Sequence, residues 1–443
     1  MSLAGWLLNV VYLCLLAVAS PLLVYRSLVY GKYRDGWPEK LLGRVPRRES
    51  RGRCVWLHAV SVGEVLLLRT VIDELRRAHR ELEVWISTTT HTGHAVAAEQ
   101  FPDCRVVYFP LDFTWSVRAA LQRVRPDVVG LAELELWPNF IRAAAKEGIP
   151  LVLINGRISE GSFRGYRRIR FLMRPTLQRF SVLAVQTEEY RERLIQLGAS
   201  GRRTVVTGSI KFDGCRGAAG TPGDASVRLE VGIAPGERVF VAGSTHAPEE
   251  EIVLDCYGRL REEFGGLRLV IAPRHRERFD EVAAIIARRG LSMVRRSHPA
   301  AGELAAVPGD CPVILWDTLG ELQLGWGLAD VAFVGGSLSQ RGGQNVLEPC
   351  SMGAAVVTGP NTSNFRETVD LLVEGDAIRI VECADGMLQS VRRLLIQPEE
   401  AAGMVSRAQE VVRLHQGATL RTVELLLDVM RGEAFPAGVR AAA

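Results

Sequence analysis

This chain carries few of the usual signposts. Its formal charge is only +4 over 443 residues, which excludes the strongly basic domain expected of a nucleic-acid binder. Eight cysteines, at 14, 54, 104, 215, 256, 311, 350 and 383, form no C-x-x-C pair and have no histidine cluster beside them. Neither a zinc site nor a disulfide framework is indicated, and free thiols in a reducing compartment fit better. No G-x-G-x-x-G follows the first strand of either half, and no Walker loop occurs. That argues against a nicotinamide dehydrogenase and against an NTP hydrolase. With 47% apolar and 23% charged residues the chain is folded, not disordered. Its length suggests two domains of ordinary size.

Charge is also missing from Leu3 to Tyr25, "LAGWLLNVVYLCLLAVASPLLVY", and a helix of about 20 apolar residues crosses a bilayer. Nothing basic precedes the run, as it would in a cleaved signal peptide. Arg26, Lys32, Arg34, Lys40, Arg44, Arg47 and Arg48 follow it. Residues 1–28 therefore read as a single-pass membrane anchor and 29–53 as a basic linker, with the body on the cytoplasmic side. An interfacial helix is the alternative.

Beyond the linker, apolar strand-like runs alternate with helical patterns. "RCVWLHAV", "LEVWISTTT", "CRVVYFPL", "RPDVVGLAELELWPNF", "IPLVLINGRIS", "FSVLAVQT" and "TVVTGSIKF" are the first series, over 54–213. The Gly- and Pro-rich stretch within 214–228 reads as a linker. A second series over 229–430 comprises "ERVFVAGSTH", "LRLVIAPRH", "LSMVRRS", "CPVILWDT", "DVAFVGGSLS", "AAVVTGP" and "AIRIVE", and 431–443 is a tail. The expected fold is α/β: two Rossmann-like domains in tandem, each with a parallel sheet covered on both faces. Ligands of such folds bind beyond the carboxyl ends of the strands. Two such domains facing across a cleft suit a nucleotide-sugar glycosyltransferase of the GT-B kind, although fold does not fix function.

Several residues stand where such ligands bind. In "SVGEV", Ser61-x-x-Glu64 fits a capping box, but Glu64 at the end of the first strand can also take a proton from a sugar hydroxyl. Glu133 and Glu135 in "GLAELELWPNF" point the same way if the strand persists; a metal, a proton relay or a helix cap would each use such a pair. Lys211 in "VTGSIKFDG" suits a phosphate or is merely solvated. Pro273 and Arg274 close the strand of "APRHRERF", where a guanidinium grips phosphate or carboxylate bidentately. Leu319, Gly320 and Glu321 form a turn whose backbone can meet a base. Gly335, Gly336, Gly342 and Gly343 bare the backbone before Asn345, Val346, Leu347 and Glu348; exposed amides at a helix start accept phosphate, and Glu348 can bind ribose hydroxyls. Finally, Phe163, Tyr166, Ile169, Met173, Leu177 and Phe180 recur at helical spacing among arginines 164, 167, 168, 170, 174 and 179. Such a segment either meets anionic headgroups or packs on its own domain.

The motifs "SVGEV", "STTTHTG", "ELELWPN", "VTGSIKFD", "GSTHAPEEE", "APRHRERF", "DTLGEL", "GGSLSQRGGQNVLEP" and "TGPNTSNF", in this order behind an apolar N-terminus, resemble the bacterial 3-deoxy-D-manno-octulosonic acid (Kdo) transferases. The resemblance covers nearly the whole chain. It implies an inner-membrane GT-B enzyme that moves Kdo from CMP-Kdo to the lipid A precursor (lipid IVA), with inversion and with no cofactor or bound metal. It also implies Glu64 as general base. One glutamate of "ELELWPN", with Glu133 preferred over Glu135, pairs with Lys211 to stabilise the transition state. Pro273 with Arg274, Leu319 to Glu321, and Asn345 to Glu348 correspond to the CMP-binding segments. Gln344 stands where the family has a histidine, and Asn361 where histidine is common. A nucleotide-sugar epimerase of the same fold and a non-catalytic inner-membrane scaffold are the rivals.

Overall fold

The computed structural model describes residues 3–30, 35–215, 225–298 and 311–433. Lys32, Arg34 and most of the linker and tail expected at 214–228 and 431–443 lie outside them. The chain divides into two units, one of residues 1–214 with 416–443 and one of residues 215–415.

The first unit is built on seven parallel strands: β1 (Cys54–His58), β2 (Glu83–Thr88), β3 (Arg105–Tyr108), β4 (Val128–Ala132), β5 (Leu151–Gly156), β6 (Val182–Val185) and β7 (Thr204–Val206). They lie in the order β3-β2-β1-β4-β5-β6-β7. Every residue of β1, β4 and β5 is buried, as strands covered on both faces must be. The helices before and among them are α1 (Leu3–Tyr30), α2 (Trp37–Leu42), α3 (Val62–Ala78), α4 (His91–Gln100), α5 (Thr114–Val124), α6 (Pro138–Lys146), α7 (Glu160–Arg168), α8 (Arg170–Leu177) and α9 (Glu188–Leu197). Helices α5 to α9 supply the core on one face of the sheet, and α3 and α4 help fill the other.

The second unit repeats the plan. Strands β8 (Arg238–Thr245), β9 (Leu267–Pro273), β10 (Met293–Arg295), β11 (Val313–Leu315), β12 (Val331–Val334), β13 (Ala355–Thr358) and β14 (Ile378–Ile380) run parallel in the order β10-β11-β9-β8-β12-β13-β14. Its helices are α10 (Ala225–Glu230), α11 (Glu249–Glu263), α12 (Phe279–Arg288), α13 (Leu322–Trp326), α14 (Leu347–Ser351), α15 (Arg366–Glu374), α16 (Ala384–Ile396) and α17 (Pro398–His415). All fourteen strand-like runs of the sequence are strands, and the class is the α/β pair of parallel sheets expected. In each sheet the strand order reverses beside the first strand, between β1 and β4 and between β8 and β12. The crevice at such a switch point is where doubly wound folds bind ligands.

One boundary differs from the expectation of a single domain over 229–430. The last helix, α18 (Ala418–Arg431), belongs to the first unit. Val423, Leu426 and Val429 complete the core beneath α3. Asp213 holds the start of α18, accepting the amides of Gly417 at 2.6 Å and Thr419 at 2.5 Å.

A second correction concerns the arginine-rich segment. It is two helices, α7 and α8, broken at Ile169. Phe163, Met173, Leu177 and Phe180 are buried in the core, so most of the apolar stripe packs on its own unit. Ile169 of the stripe stays exposed at 40%, as do Phe171 and Leu172, which the spacing did not single out, at 74% and 45%. The six arginines are exposed as expected.

Candidate active site

In the first unit the candidates gather at the carboxyl ends of β1, β4, β5 and β7. Glu64 sits in the first turn of α3 and completes a capping box with Ser61. Its carboxylate accepts the Val60 amide at 2.9 Å and the Ser61 hydroxyl at 2.7 Å. The structural role inferred for Glu64 is therefore real. It is not the whole of its surroundings, because Glu64 is partly exposed and acts electrostatically on both Glu135 and Lys211.

Strand β4 ends at Ala132, so the i, i+2 rule does not carry Glu133 and Glu135. Glu133 takes a left-handed φ of 54°, while its amide still donates to Ile154 at 2.9 Å. Glu135 accepts the Trp137 indole N–H at 2.9 Å. Burial, then the charges of Glu64 and Glu133, push the Glu135 carboxyl up to about 7. Lys211 rides on a 3-10 turn, Ile210–Phe212, tied to β5 by the Ile210 amide donating to the buried Asn155 side chain at 3.1 Å. Burial pulls its ammonium down, Glu133 and Glu64 oppose this, and the nearby Arg157 adds to it. The four residues Glu64, Glu133, Glu135 and Lys211 thus form one charged cluster.

Two members escaped the sequence. Arg157 follows β5 directly, a strand-end position that could have drawn attention. Tyr166, read only as part of the apolar stripe, lies close enough to Glu135 for that carboxylate, after burial, to push its hydroxyl up. Among the described residues no group of three or more His, Cys, Asp or Glu is placed to hold a metal ion.

The raised Glu135 makes a testable linkage. The folded protein holds this proton more tightly than the unfolded chain, whose carboxyl titrates near 4.5. Ionising it costs stability, fully above pH about 7, and the cost fades as pH falls from about 7 towards 4.5. Glu135→Gln, which keeps an acceptor for Trp137, is expected to melt higher than the parent at about pH 8, with the gap closing near pH 4.5 in thermal melts. A gap independent of pH would contradict the assignment.

The second unit gathers a cationic site beyond β8, β9 and β12. Arg274 is exposed beside the buried Pro273, its amide donating to Thr245 at 3.0 Å. His246 and His275 meet edge to face at 5.1 Å. Burial, with His275, Arg341, Arg274 and Arg278 adding like charge, lowers His246 to about 4 and keeps it neutral. Gln344 lies 3.5 Å from its Nε2. Asn345 donates to Glu348 at 3.1 Å and caps Leu347 at 3.1 Å. Burial raises Glu348, opposed by Asn345 and Arg274, so Glu348 and Arg274 share one site. Leu319 and Gly320 form an exposed turn, and Glu321 accepts the Thr318 hydroxyl at 3.1 Å. His246, His275 and Arg341 were not singled out from the sequence; the first strand end of the second series was the available signal.

The glycine-rich loop corrects the expectation of bare amides for phosphate. The amides of Gly336, Ser337 and Leu338 donate to the fully buried Glu249 carboxylate at 2.7, 2.9 and 2.9 Å, and His246 adds a fourth at 2.9 Å. A carboxylate of the chain already fills the nest.

Among solved structures, a UDP-N-acetylglucosamine 2-epimerase is similar over 88% of this chain and 98% of its own, with TM-score 0.57 and 15% identity; at that identity the likeness is one of fold. A glycosyltransferase from Rickettsia africae matches with TM-score 0.56 at 10% identity, over 86% of this chain and 99% of its own. Two parallel-sheet units of this kind give the protein a GT-B-like fold. The family model "3-Deoxy-D-manno-octulosonic-acid transferase (kdotransferase)" matches residues 35–214. The 3-deoxy-D-manno-octulosonic acid transferase of Haemophilus influenzae is 31% identical over 428 residues, 94% of this chain and 97% of that protein. The Bordetella pertussis transferase of the same name is 34% identical over 389 residues, 84% of this chain and 87% of that protein. The chain belongs to the Kdo transferase family.

Proposed function

We propose that the protein transfers Kdo from CMP-Kdo to the lipid A precursor, lipid IVA, with inversion at the anomeric carbon, at the cytoplasmic side of the inner membrane. The observation that carries this reading is the cluster of Glu64, Glu133, Glu135 and Lys211 at the strand ends of the first unit. Glu64 takes the proton of the acceptor hydroxyl as its oxygen attacks the anomeric carbon. The bond from that carbon to the CMP phosphate oxygen breaks, and CMP leaves with the electron pair. Glu133, whose charge Lys211 feels most among the carboxylates, pairs with Lys211 to stabilise the charge that develops. Glu135 holds a proton near neutrality.

CMP is taken by Arg274 beside Pro273, by the turn Leu319-Gly320-Glu321, and by Asn345 to Glu348. The donor carries a phosphodiester and a carboxylate, which suits the cationic group of Arg274, Arg341 and Arg278. His246, neutral at physiological pH, offers hydrogen bonds without charge. Gln344, in place of the family's histidine, does the same, so the His246–Gln344 pair keeps a neutral polar contact for the donor. Helix α1, with an 18-residue apolar window at Gly5–Leu22, holds the enzyme where its glycolipid acceptor lies and raises the local concentration of both.

The test is incubation of purified protein with CMP-Kdo and a tetraacylated lipid A precursor, with product masses recorded. Mass increments of Kdo on the lipid are expected; a changed sugar nucleotide with unmodified lipid would point to an epimerase, and no change to a scaffold. Arg274→Ala is expected to weaken CMP-Kdo binding by about 1.5–3 kcal/mol, the worth of a charge-assisted hydrogen bond, in calorimetric titration. Unchanged donor affinity would remove Arg274 from the site.

A further inference from the structure

Helix α1 has been treated as a membrane span because of its length and its apolar composition. Its contacts tell of another arrangement. Near its start, Asn9 is buried at 4% exposure. Its side-chain amide donates to the Thr114 hydroxyl at 2.7 Å and its oxygen accepts the Thr114 amide at 3.1 Å. Asn139 donates to the same oxygen at 3.3 Å. One turn on, the Tyr12 hydroxyl donates to Asp112 at 3.0 Å. Gly5 comes so close that a Cβ there would lie 3.1–3.3 Å from Arg142, Thr114 and Asn139. Gly5, Asn9 and Tyr12, at i, i+4 and i+7, form a docking stripe down one side of the helix.

The chain on the other side of α1 returns to the same place. Leu111 donates to the Lys40 carbonyl at 2.8 Å, and so does the Ser116 hydroxyl at 2.8 Å. The Trp115 indole N–H donates to Leu41 at 2.9 Å. Partners of the helix start and of the segment after it therefore alternate along one stretch at the start of α5: 111 with 40, 112 with 12, 114 with 9, 115 with 41, 116 with 40. Asn9 and Tyr12 near the start of the apolar run, and residues 40 and 41 beyond its end, are thus fastened to a single short stretch of the first unit.

A spanning helix cannot satisfy this. From Asn9 to Arg26 is roughly 25 Å at about 1.5 Å per residue, most of a hydrocarbon core of about 30 Å. A span would place Asn9 near the far face while residues 40 and 41 stay on the near one. It would strip Asn9 and Tyr12 of their partners, or drag Asp112 and Asn139 into lipid, where unpaired polar groups are costly. We propose that α1, docked on the first unit near its start, enters the membrane from one side only, with both its ends on the cytoplasmic side. The occupant of its exposed apolar surface is the lipid of the cytoplasmic leaflet. Beyond Tyr12 the helix exposes apolar side chains all round, Leu13, Leu15, Val18, Leu22, Val24 and Tyr25 being 48–81% exposed. Trp115, half exposed beside the helix start, is a side chain typical of the headgroup level.

This inference rests on the membrane reading above, and its test separates the two. An epitope tag is fused ahead of Met1 of the full-length protein, and protease is added to intact spheroplasts and to inside-out inner-membrane vesicles. Transferase activity of the same membranes is followed as a check on folding. The tag is expected to survive in spheroplasts and to be lost from inside-out vesicles. Any other pattern in membrane-bound, active protein overturns the one-sided arrangement. Recovery of the active protein in the supernatant after a high-salt wash would overturn the membrane reading itself.

Discussion

Glu64→Gln lowers the turnover of Kdo transfer by about 10²- to 10⁴-fold, the usual worth of a positioned general base, and leaves CMP affinity unchanged. Single-turnover kinetics and calorimetric titration would measure the two. Glutamine is more informative than alanine because Glu64 caps α3 besides its proposed role as base. Its carboxylate caps α3 through the Val60 amide and the Ser61 hydroxyl, and a lost cap costs about 0.5–2 kcal/mol. The glutamine oxygen keeps part of that cap but cannot take a proton from a sugar alcohol. Ser61→Ala supplies the complementary control, since it breaks the capping box and leaves the carboxylate in place. A similar small loss of stability is expected in both variants, with a large loss of turnover only in Glu64→Gln. If Ser61→Ala lost as much activity, Glu64 would be a cap alone and the base assignment would fall.

The fold was legible because parallel strands buried on both faces leave near-continuous apolar runs. "CVWLH", "VVGLA" and "LVLING" are buried at every position, and their order with intervening helices leaves little choice of architecture. The destination of α18 was not legible. Its apolar stripe would fill either core equally well. What directs it to the first unit is tertiary: Asp213 capping its start, and Leu426 lying 3.6 Å from where a Cβ on Gly130 of β4 would be.

The site was legible as a set of strand ends and illegible as chemistry. Spacing could not separate cap from base at Glu64, because the carboxylate proposed as base is also the cap. The pairing rule for Glu133 and Glu135 assumed an unbroken strand, and a left-handed residue at 133 ended it. The high Glu135 value comes from burial and from Glu64, 71 residues away in sequence. Tyr166 shows the converse error, a residue counted as apolar packing whose hydroxyl feels a carboxylate.

Glu249, Glu250 and Glu251 open α11, where acids are favoured by the helix dipole. Glu249 instead is fully buried and accepts four backbone amides from two loops, so it joins the end of β8 to the turn after β12. Glu249→Leu would leave four donors without an acceptor, at about 1–3 kcal/mol each when buried. The expected loss of stability is therefore at least about 4 kcal/mol, enough to lower the second unit's melting transition by many degrees and to abolish CMP binding with it. Denaturant unfolding of the full chain would measure it, and a variant within about 1 kcal/mol of the parent would show that the carboxylate is not what holds these loops. Glu249→Gln should fall between, since one carboxamide oxygen serves only some of the four amides. Glu249→Ala sharpens the point, because it empties the nest without filling the space. Inorganic phosphate, the anion such amides otherwise accept, should then raise the melting temperature of Glu249→Ala more than that of the parent. A nest that gains nothing from phosphate would mean that the loop's shape does not depend on an anion at its centre.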